Sequence, residues 1–459
     1  MAAERHEDAG LIVVGGSVAG LIAAITAADH GHRVVLLERS KELGGLAATW
    51  SESIAAGGTR FQRVADVVDS AAGLRADIEA TTPDHGDPDL VGALVGQGAA
   101  LVEWLADRCG AQVMLHSTTP TDGHKAARLH AVGEQGGASL VMTLVRAASH
   151  HTHVKVRTGT EVTRLVPTDD GGVAGVALRA DRRGSTLIRG PVVLACGGFV
   201  ADDEQVSRHC PAVKDLPYLG APGAKGDALN LAAPLGPALR HAASCSVTPF
   251  IAQPSYLALT RAVVDAGGMM VNQRGARFAD ETQASLPLAL AVRAQPGRVG
   301  YLLFDERIAT AVGALDPFFA RVVLPRTSRR ASSVGMLTKQ LELPEAVVRE
   351  TLDAYAAQCA AGTDAFGRSL RGGGLAEPYY GVRVTGARRS ARGGLAVDAQ
   401  ARVLDAAGNA IAGLHAVGGA ACGIAGDDAE RELAGVDALA ALGLARLAAL
   451  SLGSIADEG

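Results

Sequence analysis

Residues 10–39, GLIVVGGSVAGLIAAITAADHGHRVVLLER, limit what this chain can fold into more than any other stretch. An apolar strand runs into a glycine turn, an alanine-rich helix stops at Gly31, and a second apolar strand ends in Glu38, which together make a complete βαβ unit. In the fingerprint G-x-G-x-x-G the first glycine makes the tight turn, the second lets the backbone approach a pyrophosphate, and the third lets the helix pack on the strand. Those positions here hold Gly15, Ser17 and Gly20. Ser17 therefore places a Cβ where phosphates approach and brings a hydroxyl that can donate to them. Val18 and Ala19 open the helix whose N-terminus would carry the pyrophosphate. Glu38, with Arg39 behind it, stands about 20 residues on, where an acid accepts the ribose 2′-OH.

Two further stretches belong with this unit. After Glu38, RSKELGGLAATWSESIAAGGTRFQ carries Gly44, Gly45 and Leu46, then the small-residue loop Ala55, Ala56, Gly57 and Gly58. Main chain without side chains can lie flat against a broad planar ligand there. Midway, a strand-and-hairpin pattern containing Val162 and Thr163 leads into PVVLACGGF, an apolar strand ending at Ala195, Gly197 and Gly198. Far downstream, residues 393–426 hold a strand, a turn at Gly408-Asn409, and a strand ending in Gly418 and Gly419, with a helix to follow. The pattern predicts a nucleotide-binding domain begun at the N-terminus and completed at the C-terminus, with an insertion between.

Composition bounds the rest. A chain of 459 residues exceeds one hydrophobic core, and 48% apolar residues suffice for two domains. A net charge of −5 with no basic stripe argues against nucleic acid and for a small-molecule substrate. The six cysteines lie far apart with no Cys-x-x-Cys, and the run HHTH lacks a fourth ligand, so no metal site is expected. Scattered thiols and a polar, acidic start, MAAERHEDAG, lead to an expected cytoplasmic location. The apolar run 433–453 contains Asp437 and Arg446, so it is expected as a buried C-terminal helix and no membrane partner is expected.

The pieces VVGGSVAG, LLERSKELGG, AAGG, LACGGF, GAKGDALNLA, VNQRGARFADE, PYYGV, GGLAVDAQARVLD and IAGLHAVGG occur in an order that resembles the flavoprotein family of fumarate reductases, succinate dehydrogenases and 3-ketosteroid 1-dehydrogenases, over essentially the whole chain. The resemblance implies an α/β fold: a Rossmann-type FAD-binding domain with an inserted α+β cap. The expected bounds are 1–246 for the first part, 247–387 for the cap and 388–459 for the return. It implies adenosine near Gly15, Ser17, Gly20 and Glu38, with Gly226 and Asp227 of GAKGDALNLA in the same domain. Ribityl and isoalloxazine fall near Ala55 to Gly58, Gly418, Gly419, Leu433 and Ala434. FAD is expected to be noncovalent, because the nearest position to the family's attaching histidine holds Glu52.

The departures set the expected chemistry. Family reductases deliver a proton-donating arginine four residues beyond the acid of the RF-x-x-E motif; here Glu281 is retained and Ser285 occupies the delivery position. Gln253 stands where a histidine precedes proline, Arg389-Ser390-Ala391 replaces a His-His-Thr run, and the Glu and Arg of the family's proton relay would map near Arg261 and Val264, so that relay is absent and fumarate reduction is disfavoured. His124 and Arg128 lie on a loop that borders the flavin in the family, Arg431 falls near a carboxylate-binding arginine, and the resemblance makes these three, with Gln253, Arg261, Glu281 and Ser285, the expected substrate contacts. The Pro378-Tyr379-Tyr380 stretch resembles the ketosteroid dehydrogenases, which makes Tyr380, or else Tyr379, the expected acid/base residue. Arg389 is the expected clamp for a substrate carboxylate. The implied activity is dehydrogenation of a CH–CH bond next to a carbonyl with hydride passing to flavin N5. The alternatives are reduction of an unsaturated acid, or flavin binding without turnover. The substrate would be a cyclic ketone or an unsaturated acid, and the electron acceptor is unknown.

Overall fold

The structure is a computed structural model describing residues 5–45, 53–82, 87–120, 123–133, 136–181, 184–362, 364–369, 373–424, 426 and 433–455. Leu46, Glu52 and Arg431 lie outside the described residues. The chain forms two compact units, one of Met1–Pro211, Gly220–Cys245 and Ser390–Gly459, the other of Ala212–Leu219 and Ser246–Arg389.

The first unit is built on a six-stranded sheet in the order Arg402–Leu404, Ala410–Ala416, Val192–Leu194, Leu11–Val14, Val34–Leu37, Val154–Arg157. All pairings are parallel except that of the first two strands. Strand Leu11–Val14 is buried throughout, as a parallel strand covered on both faces must be, and each such side chain contributes about 1.5–3 kcal/mol. The helix Val18–Asp29 crosses between Leu11–Val14 and Val34–Leu37 with Val18 through Ala28 all buried. The run expected as a buried C-terminal helix forms Val436–Leu450, packed on Val18–Asp29 and on Pro88–Asp107. Both of its charges find partners: Arg446 donates to Gln97 at 2.7 Å, and Asp437 pairs with Arg392 at 2.8 Å. Pro88–Asp107 is long and apolar enough to cross a membrane by length and composition, and its Leu90, Leu94, Leu101 and Leu105 are buried in the same core.

The second unit is an α+β layer around the sheet path Cys245–Ala252, Tyr379–Ala391, Gly300–Asp305, Met269–Val271, with Arg329–Ala331 added against Tyr379–Ala391. Side chains alternate between two cores. Leu302, Phe304, Tyr380 and Val382 enter one, and Tyr301, Leu303 and Tyr379 enter the other. Segment 212–219 falls in the first part by the sequence-derived bounds but clusters with this unit. The reason is a backbone stitch: Leu219 donates to the Arg388 carbonyl and Arg388 to the Pro217 carbonyl, each at 3.0 Å.

Candidate active site

The carboxyl ends of the parallel strands, at Val14, Leu37, Leu194 and Ala416, come to one edge of the first unit, where ligands bind in open α/β sheets. A Cβ at Gly15, whose φ is 111°, would fall 2.5 Å from the Ala195 carbonyl, and one at Gly20 would collide with the Gly15 carbonyl. Both glycines are therefore required by close approach. Gly418 packs on Ala19, and Gly198 sits against Gly419 and Ala391, so the small residues singled out in the sequence meet around this edge. Gly44 bridges to Ser17 and donates to the Gly16 carbonyl at 2.7 Å. Val162 opens a strand of a separate four-stranded sheet, where the Thr163 hydroxyl donates to Ala177 at 3.2 Å.

Ser17 does not play the part expected of it. Its hydroxyl proton goes inward to the Ala195 carbonyl at 2.8 Å, and its oxygen caps the helix by accepting from Gly20 N at 3.2 Å. The hydroxyl is thus consumed by the turn itself, as N-cap chemistry favours. Ser17→Ala should cost about 1 kcal/mol in urea unfolding, and Ser17→Gly only a few tenths. Equal stability of Ser17→Ala and the parent chain would show that the cap contributes nothing.

Glu38 lies across the same turn, accepting from Gly16 N and from Ser40 N, both at 2.7 Å. Each oxygen keeps a lone pair for a ribose hydroxyl. Arg39 and Asp227 pair with each other at 2.9 Å, and burial of Asp227 raises its carboxyl above the usual range even though Arg39 opposes this. Nearby, the partly buried Cys196 has its thiol pushed up to about 12 by desolvation, with the Asp227 charge adding to the shift.

The small-residue loop is held from below and from the side. Ala56 donates to the Arg128 carbonyl at 3.0 Å and Ala55 to the Gly435 carbonyl at 3.1 Å. Arg128, expected at a substrate, is instead a buried structural cation: its guanidinium, 1% exposed, sits 3.0 Å from Asp69 and 2.9 Å from Asp77. Gln62 donates to Asp69 at 2.9 Å, and Thr59 and Gln62 cap each other at the next helix. His130, fully buried, joins the Arg128 carbonyl and Thr59, each at 2.9 Å. His124 donates from Nε2 to the Ala434 carbonyl at 2.9 Å, next to Leu433. None of Asp69, Asp77 or His130 stands out in the sequence, since their meeting depends on contacts many residues apart.

In the second unit Glu281 is also structural where a substrate contact is expected. It is 0% exposed and accepts from Met270 N and Arg277 Nε at 2.9 Å, from Arg277 Nη2 at 2.7 Å and from Arg368 at 2.9 Å. Arg277 also reaches Asp364 at 2.8 Å and lies over the rings of Tyr355 and Phe366. The RF-x-x-E motif is thus the centre of a buried ion cluster. Arg368 and Asp364 escaped the sequence reading because they return from 87 residues away.

Arg261 holds the turn in front of Ser285, donating to the carbonyls of Gln283, at 2.9 Å, and Thr282. Gln253 donates its main-chain N–H to Arg383 at 2.9 Å. The tyrosine pair splits by strand alternation. Tyr380 stacks on Phe304 with ring centroids 5.3 Å apart and donates to Glu306 at 3.1 Å, beside Arg330. Burial, then Glu306, push its phenol above the ordinary value, and burial does the same to Tyr379. A phenol poised for proton exchange near neutral pH needs the opposite shift. Tyr380 and Arg389 are also nine positions apart on one strand, about 30 Å at ~3.3 Å per residue, so they do not form one site.

The arginines of this strand divide clearly. Arg383 is exposed, Arg388 is buried with its side chain on the Lys214 carbonyl at 3.0 Å, and Arg392 is paired with Asp437. Arg389 is half-buried near Tyr218 and has no carboxylate partner among the described residues.

The family described as FAD binding domain matches residues 10–430. The fumarate reductase (cytochrome) of Shewanella frigidimarina is 27% identical over 434 residues, covering 93% of this chain and 74% of that protein. The open conformation of a flavocytochrome c3 fumarate reductase superposes with a TM-score of 0.83 at 26% identity, covering 97% of this chain and 78% of the other. A 3-ketosteroid-Δ4-(5α)-dehydrogenase from Rhodococcus jostii RHA1 shares the fold at a TM-score of 0.69 and 24% identity, covering 97% of each chain.

Proposed function

Because the chain belongs to the FAD binding domain family and is an FAD-dependent oxidoreductase acting on carbon–carbon bonds, we propose that it reduces the double bond of an α,β-unsaturated carboxylic acid. The observation that carries this reading is Arg389, a half-buried guanidinium with no acid to neutralise it among the described residues. A cation in that condition favours an anionic ligand, and its planar fork suits a carboxylate held by two parallel hydrogen bonds. FAD, when bound and reduced, supplies the hydride. Arg389 would fix the carboxylate and draw electron density onto it, so that the β carbon accepts hydride while the electron pair of the double bond moves toward the α carbon and carboxylate. Stabilising that developing charge is the electrostatic term on which such reactions depend. A proton drawn from solvent water then adds at the α carbon and completes the two-electron reduction. Arg261, tied to the turn before Ser285, is already paired with Asp265 at 3.4 Å and so competes less well for a carboxylate than Arg389. Desaturation of a cyclic ketone draws less support, because it needs a phenol that exchanges protons, and both tyrosines are shifted away from that role.

The test is direct. Enzyme reduced anaerobically with dithionite should regain its oxidised flavin absorbance on mixing with fumarate, acrylate or urocanate. Reoxidation by a cyclic enone alone would overturn the proposal and restore the ketone reading.

A further inference from the structure

The stretch 317–333, PFFARVVLPRTSRRASS, carries four arginines and no aspartate or glutamate, in a chain whose net charge is −5. Positive charge is thus gathered into one short part of the second unit, and the fold decides which way it faces. Phe319 and Val323, on the helical turn Phe319–Val323 that continues into Leu324–Thr327, enter the core with Ile308 and Val312. Anchoring on that side turns Arg321, Pro325 and Arg326 outward, and all three are exposed. The preceding helix, Glu306–Leu315, packs on the same turn and ends in Leu315, which is 48% exposed, with Ala314 and Pro317 exposed beside it. Arg329 and Arg330 follow on the strand Arg329–Ala331, both exposed.

Part of this charge has a local explanation. Arg330 pairs with Glu306 at 2.9 Å, and charged side chains on a short strand paired along one side only keep it from pairing with another chain. Neither reason covers Arg321 and Arg326, which stand on the helical turns. Asp316, just ahead of the stretch, is turned back to accept from Phe319 N at 2.9 Å.

Arginines interleaved with exposed aliphatic groups suit a boundary that is anionic outside and apolar just beneath. An acidic protein would match the guanidiniums and leave Leu315 and Pro317 unexplained. A layer of anionic headgroups matches both, since its phosphates accept paired N–H groups while aliphatic side chains enter the acyl boundary. The negative charge carried elsewhere on the chain opposes this only weakly, because interactions between exposed charges fade beyond about 8 Å at physiological salt.

We propose that this face of the second unit binds the surface of an anionic lipid bilayer, lying on it without spanning it. Such binding needs no spanning run, which is why it is absent from the sequence-based expectation. It is also independent of which substrate the enzyme takes.

Cosedimentation of the full-length protein with sucrose-loaded vesicles, of phosphatidylcholine alone or with about 30% phosphatidylglycerol, tests it. The parent chain should pellet with the anionic vesicles, stay in solution with the neutral ones, and detach as salt is raised from ~0.1 M to ~0.5 M. An arginine near such a surface strengthens binding about fivefold, so Arg326→Gln combined with Arg329→Gln should weaken it roughly 25-fold. Leu315→Ser should weaken it severalfold without any change of charge. Binding to both vesicles alike, binding to neither, or equal binding by the parent and the double variant would overturn the proposal. So would retention on polyglutamate without binding to vesicles, which would identify an acidic protein as the partner. The substituted side chains are exposed, so the variants should keep the flavin content of the parent; should the double variant lose it, the salt dependence and Leu315→Ser decide. Reoxidation by unsaturated acids in solution is measured without vesicles, so failure of that reading and failure of this one are separable.

Discussion

Replacing Glu281 by glutamine should lower the stability of the protein by about 3–5 kcal/mol, read as a shift of the urea midpoint at unchanged slope. The carboxylate serves two buried guanidiniums at once, with the Arg277 side chain 6% and that of Arg368 3% exposed. Glutamine keeps the volume and one acceptor oxygen but removes the charge. Arg277 would retain Asp364 as its one carboxylate beside the neutral Gln358, and Arg368 would be left with the carbonyls of Gly268 and Val264 and no carboxylate. An uncompensated buried cation is among the most destabilising single changes a core can suffer. A loss below ~1 kcal/mol would mean that the cluster is hydrated or that Asp364 suffices. Glu281→Gln combined with Arg368→Met should recover part of the loss, because the second change removes the orphaned charge.

Replacing Arg389 by glutamine should lower kcat/KM for an unsaturated carboxylic acid about 100- to 1000-fold, or ~3–4 kcal/mol of transition-state stabilisation at 1.36 kcal/mol per tenfold. Flavin content should be unchanged, since Arg389 belongs to the second unit and not to the nucleotide fingerprint. Arg389→Lys should fall between, because an ammonium keeps the charge and loses the two-pronged geometry. Activity retained in Arg389→Gln would remove the carboxylate assignment, and Arg261→Gln would be the next variant to measure.

What the sequence made legible was local. The βαβ unit, the glycine turn and Glu38 lie within thirty residues, and each signal there needs only its own neighbours. The α/β class and the FAD-binding architecture followed from that unit and from the family resemblance. Long-range meaning was misread more than once in the same way. Glu281 and Arg128 carry residue types and positions that suit a ligand, yet each is satisfied by partners distant in sequence: Arg368 and Asp364 for the first cluster, Asp69 and Asp77 for the second. Charge in a motif does not reveal whether the protein itself supplies the counter-charge. The partners of Tyr380 were hidden on the same ground, since Glu306 and Arg330 reach it across neighbouring strands whose register no periodicity encodes. Arg389 stands out for the opposite reason, being the arginine of its strand end that folding leaves unmatched among the described residues.

The inward turn of the Ser17 hydroxyl bears on how this nucleotide site can evolve. With that oxygen consumed by Gly20 and Ala195, the helix start offers a diphosphate peptide N–H groups and no side-chain donor of its own. Peptide N–H groups persist through every substitution except proline, so phosphate recognition at this turn is largely insulated from drift in residue identity. Its vulnerable positions are those where a mutation adds atoms, Gly15 and Gly20, and purifying selection at the turn should act on volume while chemical character wanders freely.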